Sequence, residues 1–186
     1  MLFAETHCIE VVGARSDAAP DKTAAPESAR SALDTVATRI DHIVIAVDDL
    51  DAATLRCTEH LGFHRVAIAG GDVPGIAAVA AGGVTMVLVG PDAGPDVAAY
   101  LQRHGSGIQH VAIDVLNANY AKAALDAVDA PLLTDVVVDS NGHEQFFTVH
   151  DPALGLQLGF ISRTGHRVGI GAANVMALFA ALAAEA

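Results

Sequence analysis

Two stretches of the chain begin with the same short pattern, a polar residue and a histidine followed by an apolar, β-branched run. They are Asp41-His42-Ile43-Val44-Ile45-Ala46-Val47 and Gln109-His110-Val111-Ala112-Ile113-Asp114-Val115. Each run is typical of a β-strand, and the same order of helix and strand patterns follows each of them. A unit of about 70 residues that recurs in this way is an internal duplication. We therefore predict an α+β fold of two tandem βαβββ modules, which form a half-open barrel around a cavity and are followed by a C-terminal helix.

The rest of the chain is organised around this repeat. Residues 1–39 show little periodicity and predict an arm or linker, since Pro20 and Pro26 interrupt any long helix. Residues 40–165 form the paired domain, and residues 166–186 a glycine turn and helix. The first module covers 40–90 and the second 108–163. Within them the patterns predict helices over residues 50–60 and 118–128 and strands over 40–47, 63–68, 76–80, 84–89, 108–115, 132–138, 144–149 and 155–162, with a final helix over 174–184.

Composition excludes several classes of function. The 186 residues carry a net charge of −12 with only 10 Lys+Arg, which opposes binding to nucleic acids and to anionic membranes. No apolar run approaches the roughly 18 residues that a membrane span needs. Two cysteines and the lack of a secretory signal favour the cytoplasm. We expect a small-molecule partner, and unpaired sheet edges are compatible with a homodimer.

His42 and His110 stand at equivalent positions of the two modules. If the modules pair pseudo-symmetrically, both side chains point into one cavity, because alternate residues of a strand share a face. Neutral imidazole is a good ligand for Fe(II), Zn(II), Ni(II) or Mn(II). The repeat therefore indicates a two-histidine metal site, although either histidine alone is compatible with an ordinary strand residue.

Four motifs carry a family resemblance. They are Asp41-His42 followed by Leu61-Gly62-Phe63-His64; Gly105-Ser106-Gly107-Ile108-Gln109-His110-Val111-Ala112; Gln145-Phe146-Phe147-Thr148; and Gly169-Ile170-Gly171-Ala172-Ala173-Asn174-Val175-Met176-Ala177-Leu178-Phe179. With these motifs, roughly residues 40–186 resemble the vicinal oxygen chelate superfamily. Within that superfamily they look most like the catalytic C-terminal domain of 4-hydroxyphenylpyruvate dioxygenase and hydroxymandelate synthase.

The resemblance implies a non-haem iron oxygenase that binds Fe(II) and a 2-oxo acid, activates O₂, decarboxylates the acid and oxidises the remainder. By resemblance, His42 and His110 match the two histidine ligands. Gln109 and Gln145 match glutamines near the substrate, and Phe147 matches an aromatic residue of the pocket. These correspondences predict an enzyme that acts on a small 2-oxo acid or a related metabolite.

The chain departs from the family where the third metal ligand, a glutamate, is expected, because the matching residue is Gly159. Its same-face neighbour Gln157 is at best a weak neutral ligand and lies roughly 6–7 Å along the strand. The closing turn and helix contribute Ile170 and Asn174 to the predicted substrate pocket, and Ile170 stands where the family has an aromatic residue. Fe(II) binding is therefore expected to be weakened, and another divalent metal or none stays open.

Three hypotheses follow from these residues. The first is a dioxygenase-like iron enzyme in which Gly159 leaves a position for water, an anion or a substrate oxygen, or in which Asp96 or Glu144 supplies the carboxylate. The second is a metal-free isomerase or cyclase that uses His42, His110 and Glu144 for acid–base chemistry, since histidine titrates near neutral pH. The third is a non-catalytic protein of the glyoxalase/bleomycin-resistance type that sequesters a small ligand.

Overall fold

The computed structural model describes residues 33–69, 71–139, 141–163 and 169–185. Its strands are β1 (Ala37–Ala46), β2 (His64–Val66), β3 (Ile68–Ala69), β4 (Ile76–Ala81), β5 (Val84–Val89), β6 (Gly107–Val115), β7 (Val137–Val138), β8 (Glu144–Phe147), β9 (Leu158–Ser162) and β10 (Ile170–Gly171). Its helices are α1 (Leu50–Leu55), which continues as a π-helix over Arg56–His60, α2 (Pro95–His104), α3 (Ala118–Asp126) and α4 (Ala172–Ala184).

The strand order confirms the predicted duplication. Eight strands form one sheet in the order β2-β4-β5-β1-β6-β9-β8-β7, so each module supplies one half of the sheet. In both modules the first strand runs parallel to the last, β1 beside β5 and β6 beside β9. The modules join where β1 and β6 pair antiparallel. This pairing places the two histidine strands side by side at the centre of an open, curved sheet whose described edges are β2 and β7.

Helices α1 and α3 cover the outer face of the sheet. Alternate strand residues point to this face and pack beneath the helices. Helix α1 begins at Asp49, whose side chain accepts a hydrogen bond from the Ala52 N–H, and α3 begins in the same way at Asn117. The buried residues beneath the first helical segment are Cys57, Ala77, Val79 and Leu88, and those around α3 are Val36, Val115, Ala118, Ala121, Phe146 and Phe160.

The inner face is filled differently in the two halves. Over the first module, β10 pairs with β3, and α4 packs its Val175 and Phe179 side chains against Val44 and Val87 of the sheet. Burial of such side chains stabilises the fold by roughly 1.5–3 kcal/mol each. The inner face of the second module carries polar and aromatic residues instead, and these form the candidate site together with His42 of β1.

Several elements differ from the sequence predictions. Helix α2 was not predicted, and the strand predicted over 132–138 is reduced to β7 and an isolated bridge between Leu132 and Thr148. The reason is local, because the Leu133 and Thr134 N–H groups both approach the Phe147 carbonyl and interrupt a regular ladder. Within the described ranges, no helix is long and apolar enough to cross a bilayer. Predictions for residues 1–32 lie outside those ranges.

Candidate metal centre

A β-bulge precedes each of the two histidines. Strand β1 has one extra residue, Asp41, between the paired positions Ile40 and His42, and β6 has one extra residue, Gln109, beside His110. A bulge re-aims side chains next to it. In both strands the bulged residue can therefore bond to the ring of the histidine that follows it. The duplication thus extends to the way each histidine is held.

The hydrogen bonds at Nδ1 leave Nε2 free on both rings. The His42 Nδ1–H donates to the Asp41 carboxylate over 2.6 Å, and the His110 Nδ1–H donates to the Gln109 amide oxygen over 2.5 Å. Both Nε2 atoms are buried and have no hydrogen-bond partner among the described residues. The ring centroids lie 5.6 Å apart in a T-shaped arrangement. Two buried, adjacent lone pairs are a costly arrangement unless something binds them.

The tautomer of His110 follows from a chain of amide hydrogen bonds. The Gln157 Nε2–H donates to the Thr148 carbonyl over 2.7 Å, so its amide oxygen is left to accept from Gln109 Nε2 over 2.6 Å. The Gln109 amide oxygen is then the end that faces His110, and an oxygen can only accept. The proton of the imidazole must therefore be on Nδ1, and Nε2 presents a lone pair.

The tautomer of His42 is held by a buried ion pair. Arg163 binds both carboxylate oxygens of Asp41 over 2.6 Å, and the side chains are only 14% and 4% exposed. Burial raises the Asp41 pKa, but the hydrogen bonds from Arg163 and His42 outweigh it and hold that pKa well below its ordinary value. The Arg163 pKa is lowered by burial and raised more strongly by Asp41, so its net shift is upward. Asp41 therefore stays an anionic acceptor for His42 Nδ1.

His110 is a neutral imidazole at physiological pH. Burial lowers its pKa well below the ordinary value, and the nearby His42 lowers that pKa further. Metal ligation requires neutral imidazole with its other nitrogen held by a second-shell partner. Both histidines have Nδ1 held by such a partner, and the free Nε2 atoms are the observation that fits a bound divalent metal.

The third ligand position has no carboxylate. Gly159 lies on the inner face beside Gln145 and Phe147 of β8, and a Cβ atom added to it would lie 2.9 Å from Gln145 Nε2 and 3.0 Å from the Phe147 ring. The Phe147 ring also meets the His110 ring edge-on, with centroids 5.1 Å apart. Across the described part of the chain, no group of three or more His, Cys, Asp or Glu residues is arranged to hold a metal ion. The residues present thus fit two protein ligands and a third position open to another molecule.

Three other residues were predicted for the site: Glu144, Ile170 and Asn174. Glu144 neighbours Gln145 in β8 and therefore points to the outer face, where its carboxylate accepts a hydrogen bond from Asn119 of α3 over 3.4 Å. Ile170 is buried in β10. Asn174 is buried in α4, and its amide donates to the His143 carbonyl over 3.3 Å. Of these three, none is in contact with the His42 or His110 ring through a described hydrogen bond.

Two groups of polar residues were not predicted. Asp41 and Arg163 form the first, and the pair Asp139 and His143 the second, with 2.9 Å between Asp139 Oδ2 and His143 Nδ1. Arg163 joins the groups, because its guanidinium also lies 3.5 Å from His143 Nε2 and donates to the Gly169 carbonyl. An acidic residue directly before a candidate histidine ligand was the available signal for Asp41. Nothing in the sequence pairs it with Arg163.

A cavity of about 620 Å³ opens beside the ion pair. Asp41 and Arg163 form part of its wall, and the β4–β5 hairpin and Ile170 form other parts. His42 and His110 are not in the wall. The cavity is large enough for a small metabolite, and the ion pair stands between this space and the Nδ1 side of His42.

Comparison with known proteins places this geometry in a family. Residues 41–147 match the model of the Glyoxalase/Bleomycin resistance protein/Dioxygenase superfamily. No curated protein is significantly similar to the chain in sequence.

Solved structures give the same fold. A hypothetical protein of Bacillus halodurans is 20% identical, with a TM-score of 0.60 over 70% of this chain and 98% of its own. The methylmalonyl-CoA epimerase of Mycobacterium tuberculosis is 25% identical, with a TM-score of 0.58 over 69% and 89% of the two chains. A variant of the Streptomyces coelicolor methylmalonyl-CoA epimerase, in complex with 2-nitronate-propionyl-CoA, is 22% identical, with a TM-score of 0.54 over 69% and 99%. These neighbours do not single out the dioxygenase branch. The family model, the tandem modules and the paired histidines together mean that the chain belongs to the Glyoxalase/Bleomycin resistance protein/Dioxygenase superfamily.

Proposed function

We propose that the protein is a non-haem iron enzyme of the oxygenase type that acts on a small 2-oxo acid or a related carboxylate. The observation that carries the proposal is the pair of buried Nε2 atoms of His42 and His110, which have no partner among the described residues. Two histidines and one carboxylate with open positions beside them are the ligand set typical of iron oxygenases, and this site keeps the two histidines.

In this proposal His42 and His110 hold the iron through Nε2. Bound Fe(II) would supply the chemistry that brings O₂ and a chelating oxo acid together. Asp41 and Gln109 keep both Nε2 lone pairs available by accepting the Nδ1 protons, and Phe147 shields the His110 side of the site from water. The carboxylate missing at Gly159 weakens iron binding, and a substrate that chelates compensates for that loss.

Oxygen consumption tests this proposal. The protein is loaded anaerobically with Fe(II), mixed with aerated buffer in an oxygen electrode, and supplied with a panel of 2-oxo acids. We expect uptake with at least one acid, and a loss of at least tenfold in His42→Ala and in His110→Ala. His60→Ala is the matched control, because His60 is exposed at the end of the π-helix. Metal binding that is equal in wild type and both site variants would refute the proposal.

A second candidate is a metal-free isomerase, cyclase or epimerase. Two observations favour it: the lowered pKa of His110, which leaves the imidazole unprotonated and able to accept a proton at neutral pH, and the likeness to methylmalonyl-CoA epimerases. Glu144 lies on the outer face, so His110 would carry the base function without it. Turnover or solvent hydrogen exchange that persists in excess chelator would favour this candidate. Binding without turnover under either condition would favour a sequestering protein.

A further inference from the structure

Three buried polar atoms of strand residues on the inner face have no hydrogen-bond partner among the described residues. They are Nε2 of His42, Nε2 of His110 and Nε2 of Gln145. The first two present lone pairs, whereas the amide nitrogen of Gln145 presents N–H donors. A cation bound by the histidines and an anion next to that cation would together provide partners for all three atoms.

The two other glutamines of the site are already occupied. Gln157 uses its amide oxygen for Gln109 and its nitrogen for the Thr148 carbonyl, and Gln109 lies between Gln157 and His110. These two amides hold the His110 ring, and both of their nitrogen atoms already donate a hydrogen bond within the protein. Gln145 is only 1% exposed, so water cannot easily pair with its amide nitrogen, and a buried unpaired donor is destabilising. It is the glutamine of the three that is available to a ligand.

Gly159 explains why the Gln145 amide can lie there. A Cβ atom at position 159 would lie 2.9 Å from Gln145 Nε2, closer than such atoms normally approach. The amide therefore occupies space that any longer side chain at position 159 would need. Because residue 159 is a glycine, the site lacks the expected carboxylate and has room for the neutral Gln145 amide beside the third ligand position.

The missing carboxylate also affects the charge of the proposed metal site, and this effect favours an anion as well. Two neutral imidazoles leave the full double positive charge of a divalent metal, and the carboxylate that bonds to His42, Asp41, is already neutralised by Arg163. A buried positive charge of this kind favours an anion next to it. An anion that accepts the Gln145 N–H has both a charge partner and a hydrogen bond.

We infer that the position beside Gly159 is a site for a small exogenous anion, which replaces the missing carboxylate and is anchored by the N–H of Gln145. The inference rests on the proposed metal-binding function of His42 and His110. The anion is either a free halide or a carboxylate oxygen of the substrate. In both cases Gln145 acts as a binding residue for the anion and not as a metal ligand.

Cobalt titration tests the inference without any need for activity. Co(II) binding to the full chain is followed by calorimetry and by the visible Co(II) spectrum, in chloride-free and carboxylate-free buffer and then with chloride or oxalate added. For wild type we expect one of these anions to lower the Co(II) Kd at least tenfold and to change the spectrum. Chloride as the effective ion identifies a free halide site, and oxalate alone a carboxylate site.

Two variants of Gln145 separate its roles. In Gln145→Leu we expect an unchanged Co(II) Kd without anion and less than a twofold effect of either anion. In Gln145→Glu the new carboxylate takes the place of the anion, so Co(II) alone binds at least tenfold more tightly and the anions lose their effect. Gln102→Leu on the exposed side of α2 is the matched control and keeps the wild-type response. Thermal unfolding confirms that each variant is folded.

The outcomes distinguish the inference from the proposed function. Co(II) binding that depends on His42 and His110, with equal anion effects in wild type and Gln145→Leu, overturns the inference alone. A weaker Co(II) Kd in Gln145→Leu without anion makes Gln145 a metal ligand and also overturns it. Absence of Co(II) binding in wild type, or binding that survives His42→Ala, overturns the metal-binding function together with the inference.

Discussion

The Asp41–Arg163 ion pair should be strongly coupled in a double-mutant cycle. Removing one partner of a buried pair leaves an uncompensated charge and costs about 3–5 kcal/mol. Arg163→Met leaves Asp41, which is 4% exposed, with His42 as its remaining side-chain partner. We therefore expect a loss of about 5 kcal/mol in unfolding free energy, the upper end of that range. Asp41→Asn leaves Arg163, which is 14% exposed and still bonded to the Gly169 carbonyl, and we expect about 3 kcal/mol, the lower end of that range.

The double variant should be little worse than Arg163→Met, because neither charge is then left alone. The expected coupling free energy is about 2–3 kcal/mol. Urea unfolding at pH 7 of wild type, both single variants and the double variant measures it, and constant m-values confirm comparable transitions. Arg39 and Asp114 are the control pair, since they are 3.3 Å apart with Arg39 67% exposed, and a coupling of about 0.2–1 kcal/mol is expected there. Additive single effects within about 0.5 kcal/mol at the buried pair would refute the reasoning.

Three further predictions follow from the packing and charge of the site. Gly159→Glu should destabilise the protein by about 1–3 kcal/mol and should not tighten Fe(II) binding, because the new Cβ would lie 3.0 Å from the Phe147 ring; urea unfolding and Fe(II) titration check both parts. Gly171→Ala should cost at least about 2 kcal/mol, because its Cβ would lie 1.9 Å from an Asp139 oxygen, and unchanged urea stability would contradict this. The Asp41 and Asp139 pKa values are raised by burial but lowered more by their hydrogen bonds, below the ordinary 3.8. The stability they contribute is therefore complete above about pH 4 and lost as the pH falls below it, and Asp41→Asn should flatten that acid loss in thermal melts from pH 7 to pH 2.

Gly83→Ala is the matched control for the two glycine variants. A Cβ at Gly83 would meet no atom within 4 Å, so we expect a change within about 0.5 kcal/mol. A loss at Gly83 as large as those at Gly159 and Gly171 would mean that backbone freedom, and not close packing, controls all three positions.

The repeated histidine pattern, together with the order of helices and strands that follows each copy, predicted the tandem-module fold. It located β1 and β6 and indicated that they are equivalent, and two equivalent strands of fused modules meet at the centre of the sheet. Helix α2 was missed because its short run lies between Gly94 and Gly105, where glycines read as turns. Its buried residues, Val97 and Leu101, make sense only once the inner face of the first module exists for them to cover.

The roles of the three glutamines could not be predicted. Gln109, Gln145 and Gln157 are alike in sequence terms, since each lies in or beside a strand. A β-bulge turns Gln109 toward His110, and Gln157 completes the amide chain behind it. Of the three amide nitrogens, that of Gln145 is the one without a hydrogen-bond partner among the described residues. The difference comes from bulges and strand register, and a register shift of one residue would reverse which face each amide meets.

The amino-acid sequence by itself determined the duplication, the acidic charge, the two histidines and the absence of a carboxylate at Gly159. These are covalent facts, and no arrangement of the chain changes them. The tertiary structure alone decided that both Nε2 atoms are free, that Asp41 is neutralised by Arg163, and that Gln145 faces the vacated position. Such properties depend on partners from distant parts of the chain: Asp41 and Arg163 are 122 residues apart. Only the packing of two modules into one sheet brings those groups within hydrogen-bond distance and excludes the water that would otherwise satisfy them.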